Sequence, residues 1–222
     1  QVENFYQETY KLYSEQKYDQ VISRCNYALK NYKDYHEYII LFDFLKVLSE
    51  GKNSSLENFR SELNRIAKQY KGTQVAQEAQ IIIQAMDRKK PEIREKEEIQ
   101  LALSTYIKND NETHYMVFSL PLNYNINQLN FNILNFNLDY YDNKNLSIDR
   151  INLNNEILLL IKSFRNKNDA IDYFKKITNY NDIYKDAGNQ NVKTFVINET
   201  NLRIIQQEKS SSRYLKFFIQ TT

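Results

Sequence analysis

The stretch that decides the fold is Asn154-Asn155-Glu156-Ile157-Leu158-Leu159-Leu160-Ile161-Lys162-Ser163-Phe164. Its unbroken aliphatic run, short and bounded by polar residues, predicts a buried strand over 156–164. The two asparagines before it suit a tight hairpin turn. The segment 146–153, with Ile148 and its partners alternating, is then the antiparallel mate. Upstream, His114-Tyr115-Met116-Val117-Phe118-Ser119-Leu120 reads as a strand stopped by Pro121. Between these strands Asn125 is placed to cap a helix carrying Ile126, Leu129, Ile133, Phe136 and Tyr140 at spacings of three and four. Downstream, Asn166 or Asn168 caps a second helix carrying Ala170, Ile171, Phe174 and Ile177, and 192–197 is a fourth strand. A tail from Asn198 carries Leu202, Ile205, Tyr214, Leu215, Phe217 and Phe218 and is expected to end in a C-terminal helix. The order β-α-β-β-α-β is the ferredoxin-like split βαβ plan, an antiparallel sheet with both main helices on one face.

The first half is built differently. Residues 1–108 hold 6 asparagines and residues 109–222 hold 22, while both halves are nearly neutral. The shift is therefore one of residue type, from helix formers to a residue that favours caps and turns. Five amphipathic helices are predicted before residue 90. Phe5, Thr9 and Leu12 share one face, with Tyr6, Tyr10 and Tyr13 beside it. Tyr18, Val21, Cys25 and Ala28 mark the second helix, and Tyr38, Phe42, Leu45 and Leu48 the third. Leu56, Phe59, Leu63 and Ile66 mark the fourth, and Val75, Ala79, Ile83 and Met86 the fifth, with breaks at Gly51 and Gly72.

Val21, Cys25 and Ala28 recur with drift as Phe59, Leu63 and Ile66, a step of 38 residues. Paired helices at such a step resemble tetratricopeptide repeats, whose period is about 34. In that register Tyr6, Tyr10 and Tyr13 line the groove and form a candidate protein-binding surface, or a seat for a further repeat. Two pairs and one helix fall short of the usual three repeats, so neighbouring repeats are expected upstream of Gln1. The resulting domain plan is 1–90 for the repeats, 91–111 for a connecting helix opening at Pro91, and 112–222 for the α+β domain.

The composition narrows the chemistry. With 30 Lys and Arg against 28 Asp and Glu, the net charge of +2 offers no general reason to bind nucleic acid or an anionic membrane surface. A lone cysteine, Cys25, excludes an internal disulfide framework and a multi-cysteine metal knot. The histidines His36 and His114 have no partner pattern, and Cys25 sits where a small buried side chain packs. The acidic run Glu95, Glu97, Glu98 lacks the ligand spacing of a calcium loop and is expected to be a solvated helix face. The three glycines, Gly51, Gly72 and Gly188, form no phosphate loop. No catalytic constellation, cofactor site or metal site is predicted. RNA binding on a ferredoxin-like sheet would want aromatics and Gly on the third strand, which 156–163 does not supply.

Several segments together resemble the C-terminal region of the tetratricopeptide lipoproteins of the Bacteroidetes type IX secretion and gliding-motility machinery. They are His114-Tyr115-Met116-Val117-Phe118, Phe164-Arg165-Asn166-Lys167-Asn168-Asp169-Ala170-Ile171-Asp172-Tyr173-Phe174, and the ending Phe195-Val196-Ile197-Asn198 to Tyr214-Leu215-Lys216-Phe217-Phe218. The resemblance implies a non-enzymatic scaffold at the periplasmic face of the outer membrane. It would link translocon and periplasmic ring components, and its lipid anchor would lie upstream of Gln1. The 164–174 segment also resembles sporulation-related peptidoglycan-binding domains, which implies a second expectation, binding of glycan strands.

Overall fold

The computed structural model describes residues 1–141 and 146–222. The protein is α+β: helices fill the N-terminal half, and a four-stranded antiparallel sheet with its own helices follows. The chain divides into two compact units, Gln1–Glu97 and Glu98–Thr222.

The first unit contains α1 (Val2–Ser14), α2 (Tyr18–Asn31), α3 (His36–Glu50), α4 (Leu56–Gln69) and α5 (Gln74–Lys89). Next in the chain is α6 (Pro91–Thr105), and the division between units falls inside it. Ser55 caps α4 by accepting from the Asn58 amide, and Thr73 caps α5 by accepting from the Ala76 amide. Gly51 ends α3 where a Cβ would stand 2.3 Å from the Phe59 ring, so the α3–α4 turn closes only without a side chain. Short connections make sequential neighbours antiparallel. Each odd helix also meets the next odd one, α1 with α3 and α3 with α5. The core is apolar around Val21, Cys25, Ala28 and Phe42 at one end and Val47, Leu63, Ile66 and Ala79 at the other.

Two polar clusters pin this stack. Asp43 of α3 is buried and accepts from the two terminal Arg65 guanidinium nitrogens, at 2.8 and 2.9 Å, and from the Tyr70 hydroxyl at 2.7 Å. Burial opposes its charge, but the Arg65 and Tyr70 hydrogen bonds outweigh that and hold the carboxyl below its usual range. Arg60 of α4 reaches Asp87 of α5 at 2.8 and 3.0 Å and also pairs with Glu97.

The second unit runs β1 (His114–Pro121), α7 (Ile126–Tyr141), β2 (Ser147–Asn152), β3 (Glu156–Phe164), α8 (Lys167–Thr178), β4 (Lys193–Asn198), α9 (Glu199–Glu208) and α10 (Ser212–Thr221). The strand order is β2-β3-β1-β4, antiparallel throughout. Leu153 donates its amide to the Glu156 carbonyl at 2.9 Å, closing the two-residue hairpin at Asn154-Asn155. The cap of α8 is Asn166, and Asn125 accepts from the Gln128 amide at the start of α7. Met116, Phe118, Leu159, Ile161 and Val196 face α7 and α8, where Leu129, Ile133, Phe136, Tyr173 and Ile177 complete one core. Each such side chain contributes roughly 1.5–3 kcal/mol by leaving water.

The tail differs from the single C-terminal helix expected from sequence. It forms two helices, and together they cover the second face of the sheet. Val117, Leu158, Leu160, Phe195 and Ile197 pack against Leu202 and Ile205 of α9 and Tyr214 and Phe217 of α10, with Ala102 and Tyr106 beside them. Asn198 ends β4 and at once caps α9 through the Asn201 amide at 2.8 Å. Lys209, at φ 56°, takes the left-handed conformation that stops α9.

Candidate functional site

The residues singled out by sequence lie along α1. Tyr6, Tyr10 and Tyr13 stand at spacings of four and three, hence on one side of the helix. Their rings form a ladder, with centroids 6.3 Å apart between Tyr6 and Tyr10 and 6.2 Å between Tyr10 and Tyr13. The structure extends it at both ends with two residues that were read only as helix-face positions. Tyr38 of α3 lies 6.1 Å from Tyr6, and Tyr18 of α2 lies 5.7 Å from Tyr13. Tyr10, at the middle, is 51% exposed, while Tyr6 and Tyr13 are half-buried.

The ladder is seated on the core. Tyr6 meets the fully buried Phe42 edge-on at 5.2 Å, and Phe42 also meets Phe5 at 5.9 Å. Phe5 in turn carries the Arg24 guanidinium over its ring at 4.0 Å. Arg24 is held there by Thr9 at 2.9 Å and Glu8 at 2.7 Å. Burial, and after it Tyr10, pushes the Tyr6 phenol up to about 12, and burial likewise raises Tyr13. These hydroxyls keep their protons across physiological pH. The ladder therefore offers apolar rings with hydrogen-bonding tips, the combination that suits a protein contact.

The other residues weighed for chemistry have structural settings. Cys25 is fully buried, and burial pushes its thiol up to about 12, so it is protonated and not a thiolate nucleophile. His114 is buried, its Nδ1 lies 2.7 Å from the Glu112 carbonyl, and burial lowers its pKa, leaving a neutral ring. His36 is exposed at the first turn of α3. The acidic run of α6 is not the solvated face expected of it, because Glu97 pairs with Arg60 and Glu98 with Lys216 at 2.8 Å, leaving only Glu95 fully exposed.

The second unit has one polar centre that the sequence did not announce. Glu156, first residue of β3, accepts from the Ser211 amide at 2.6 Å, from the Ser211 hydroxyl at 2.6 Å and from the Ser119 hydroxyl. The carboxylate sits at the N-terminus of α10, where helix dipole and free amides favour it. It borders a shallow cavity of about 350 Å³ that Lys193 and Asn191 also line. Both serine hydroxyls donate to the one carboxylate, so the centre ties β1, β3 and α10 together. The Ser119–Glu156 half of this centre spans a β1–β3 pair, Ser119 opposite Leu158, which no local sequence pattern reports.

No His, Cys, Asp and Glu cluster able to hold a metal ion occurs among the described residues. Among them, no helix is long and apolar enough to cross a membrane. Comparison with protein-family models, with curated proteins and with solved structures returns no match to this chain.

Proposed function

We propose that the protein is a non-enzymatic scaffold whose tetratricopeptide-like half binds another protein through the α1 tyrosine face. The observation that carries this reading is the five-ring ladder Tyr38–Tyr6–Tyr10–Tyr13–Tyr18, anchored on Phe42 and open at Tyr10. Contacts of α1 with α3 and of α3 with α5 support the repeat reading, since stacked hairpins bring their first helices together. In the second half, the strand order β2-β3-β1-β4 with α7 and α8 on one face supports a ferredoxin-like plan. With the opposite face filled by α9 and α10, this domain would meet partners through its helices and edges.

The resemblance of the sequence motifs supports a role for this scaffold in the type IX secretion and gliding-motility machinery. There it would sit at the periplasmic face of the outer membrane and contact translocon and ring components. Two experiments test the proposal. Tyr10→Ala removes the exposed ring at the middle of the ladder without touching Phe42. Each ring lost from the middle of an interface weakens binding about tenfold or more. Captured partners should fall accordingly while the fold is retained by circular dichroism, and undiminished capture rules the ladder out as the binding face. Incubation with purified sacculi addresses glycan binding: saturable retention would replace the scaffold reading with a wall-anchoring one.

A further inference from the structure

The two edges of the sheet differ. β4, at one end, is buried along 195–198. β2, at the other, pairs only with β3 and leaves Ser147, Asp149, Arg150 and Asn152 exposed. The hairpin fixes which backbone groups of β2 are free. Leu153 and Glu156 form a hydrogen-bonded pair at its mouth, and in an antiparallel ladder such pairs alternate with open ones. Counting back in register, Ile151, Asp149 and Ser147 also turn their N–H and C=O groups toward β3. Ile148, Arg150 and Asn152 turn theirs outward, where no strand meets them among the described residues. The Ile148 side chain packs on the α7 and α8 side, so Arg150 and Asn152, at even spacing, share that face. Arg150 donates to Asn152 Oδ1 at 2.8 Å and pairs with no carboxylate among the described residues. On the opposite face Asp149 is already paired with Lys162.

We propose that β2 binds an extended segment of a partner protein by strand addition, and that this segment carries Asp or Glu opposite Arg150. The outward N–H and C=O groups at 148, 150 and 152 supply the hydrogen bonds of the added strand. Arg150 supplies the charge to be matched, while Asp149 is neutralised by Lys162 and asks for no cation. The same charges select against a second copy of this chain. A twofold antiparallel pair of β2 strands keeps every side chain on its own face of the sheet, so one residue opposes itself at the axis. The two registers that overlap most of 147–152 set Asp149 against Asp149 or Arg150 against Arg150, and like charges directly opposite are destabilising. A basic segment would meet Arg150 with the same penalty. Binding at this edge needs nothing of the α1 ladder, which belongs to the other unit.

The test uses the 222-residue chain and a capped fluorescent peptide of about seven residues, threonine and valine alternating on each side of a central glutamate. A valine two positions from the glutamate then meets Ile148 when the glutamate meets Arg150. Fluorescence anisotropy should show saturable binding, and the same peptide with a central lysine should bind about tenfold more weakly. Arg150→Glu should invert that preference. Arg150→Pro should abolish binding of both peptides. The amide it removes points outward, so the β2–β3 ladder stays in place and thermal unfolding followed by circular dichroism should stay cooperative. No saturable binding up to about 1 mM overturns the proposal. Equal affinity for the two peptides overturns the charge match, and binding that survives Arg150→Pro overturns strand addition.

Discussion

Replacing Asp43 by asparagine keeps the shape of the side chain and removes its charge, so it isolates what the carboxylate does. Asp43 is 7% exposed and takes three hydrogen bonds, two from Arg65 and one from Tyr70. In Asp43→Asn one carboxylate oxygen becomes an NH₂ group facing a donor. Breaking a fully buried ion pair costs about 3–5 kcal/mol. Here the Arg65 side chain is 38% exposed and retains Glu62 at 2.8 Å, so it regains water and keeps one partner. The expected loss is therefore lower, about 2–3 kcal/mol. With a urea slope of about 1.5 kcal/mol per M, the midpoint of the first unit falls by about 1.3–2 M.

The pH dependence of that loss is the sharper test. Unfolded, Asp43 titrates near 3.9; folded, Arg65 and Tyr70 hold it lower. Its contribution is thus present in full above about pH 4 and is lost as pH falls through the folded value. The gap between parent and variant should be widest at about pH 7 and should narrow toward about pH 2.5, measured by urea denaturation followed by circular dichroism. A loss under about 0.5 kcal/mol at neutral pH would place Asp43 among weak surface pairs and refute the reasoning. A gap equally wide in acid would refute it too.

Two further outcomes follow from the same geometry. Glu156→Ala strips Ser119 and Ser211 of their shared acceptor, so α10 and α9 should lose amide exchange protection by roughly 2–3 kcal/mol while α1–α5 keep theirs; uniform loss across the chain would contradict the anchoring role. Burial raises the Cys25 thiol from 9.0 to about 12 and the Tyr6 phenol from 10.0 to about 12. Stability from both is full below the unfolded values and is lost as pH rises toward 12, so the urea midpoint should drop between about pH 8 and about pH 10.5 and Cys25 should resist alkylation until unfolding. Alkylation of the native protein at mild pH would refute this.

Much of the second unit was legible in the sequence because its signals are local. The aliphatic run of β3, the Asn154-Asn155 turn and the Asn125 and Asn166 caps each act within a few residues. The covering of both sheet faces was not read, although a signal for it exists. Met116, Val117 and Phe118 are consecutive and all fully buried, and an unbroken apolar strand, not an alternating one, marks burial on both faces. The break between α9 and α10 left no such mark. It depends on a left-handed Lys209, where glycine or asparagine would have announced the stop. The ladder was half legible: Tyr6, Tyr10 and Tyr13 follow from helical spacing on one element. Tyr18 and Tyr38 join only through packing of α2 and α3, which sequence spacing does not encode.

The central proposal is that this chain binds proteins of a secretion and motility assembly. The most direct measurement is affinity capture of the tagged protein from cells after mild crosslinking, with partners identified by mass spectrometry. The account expects enrichment of outer-membrane translocon and periplasmic ring components. Recovery of cytosolic proteins alone, or of no partner, would contradict it.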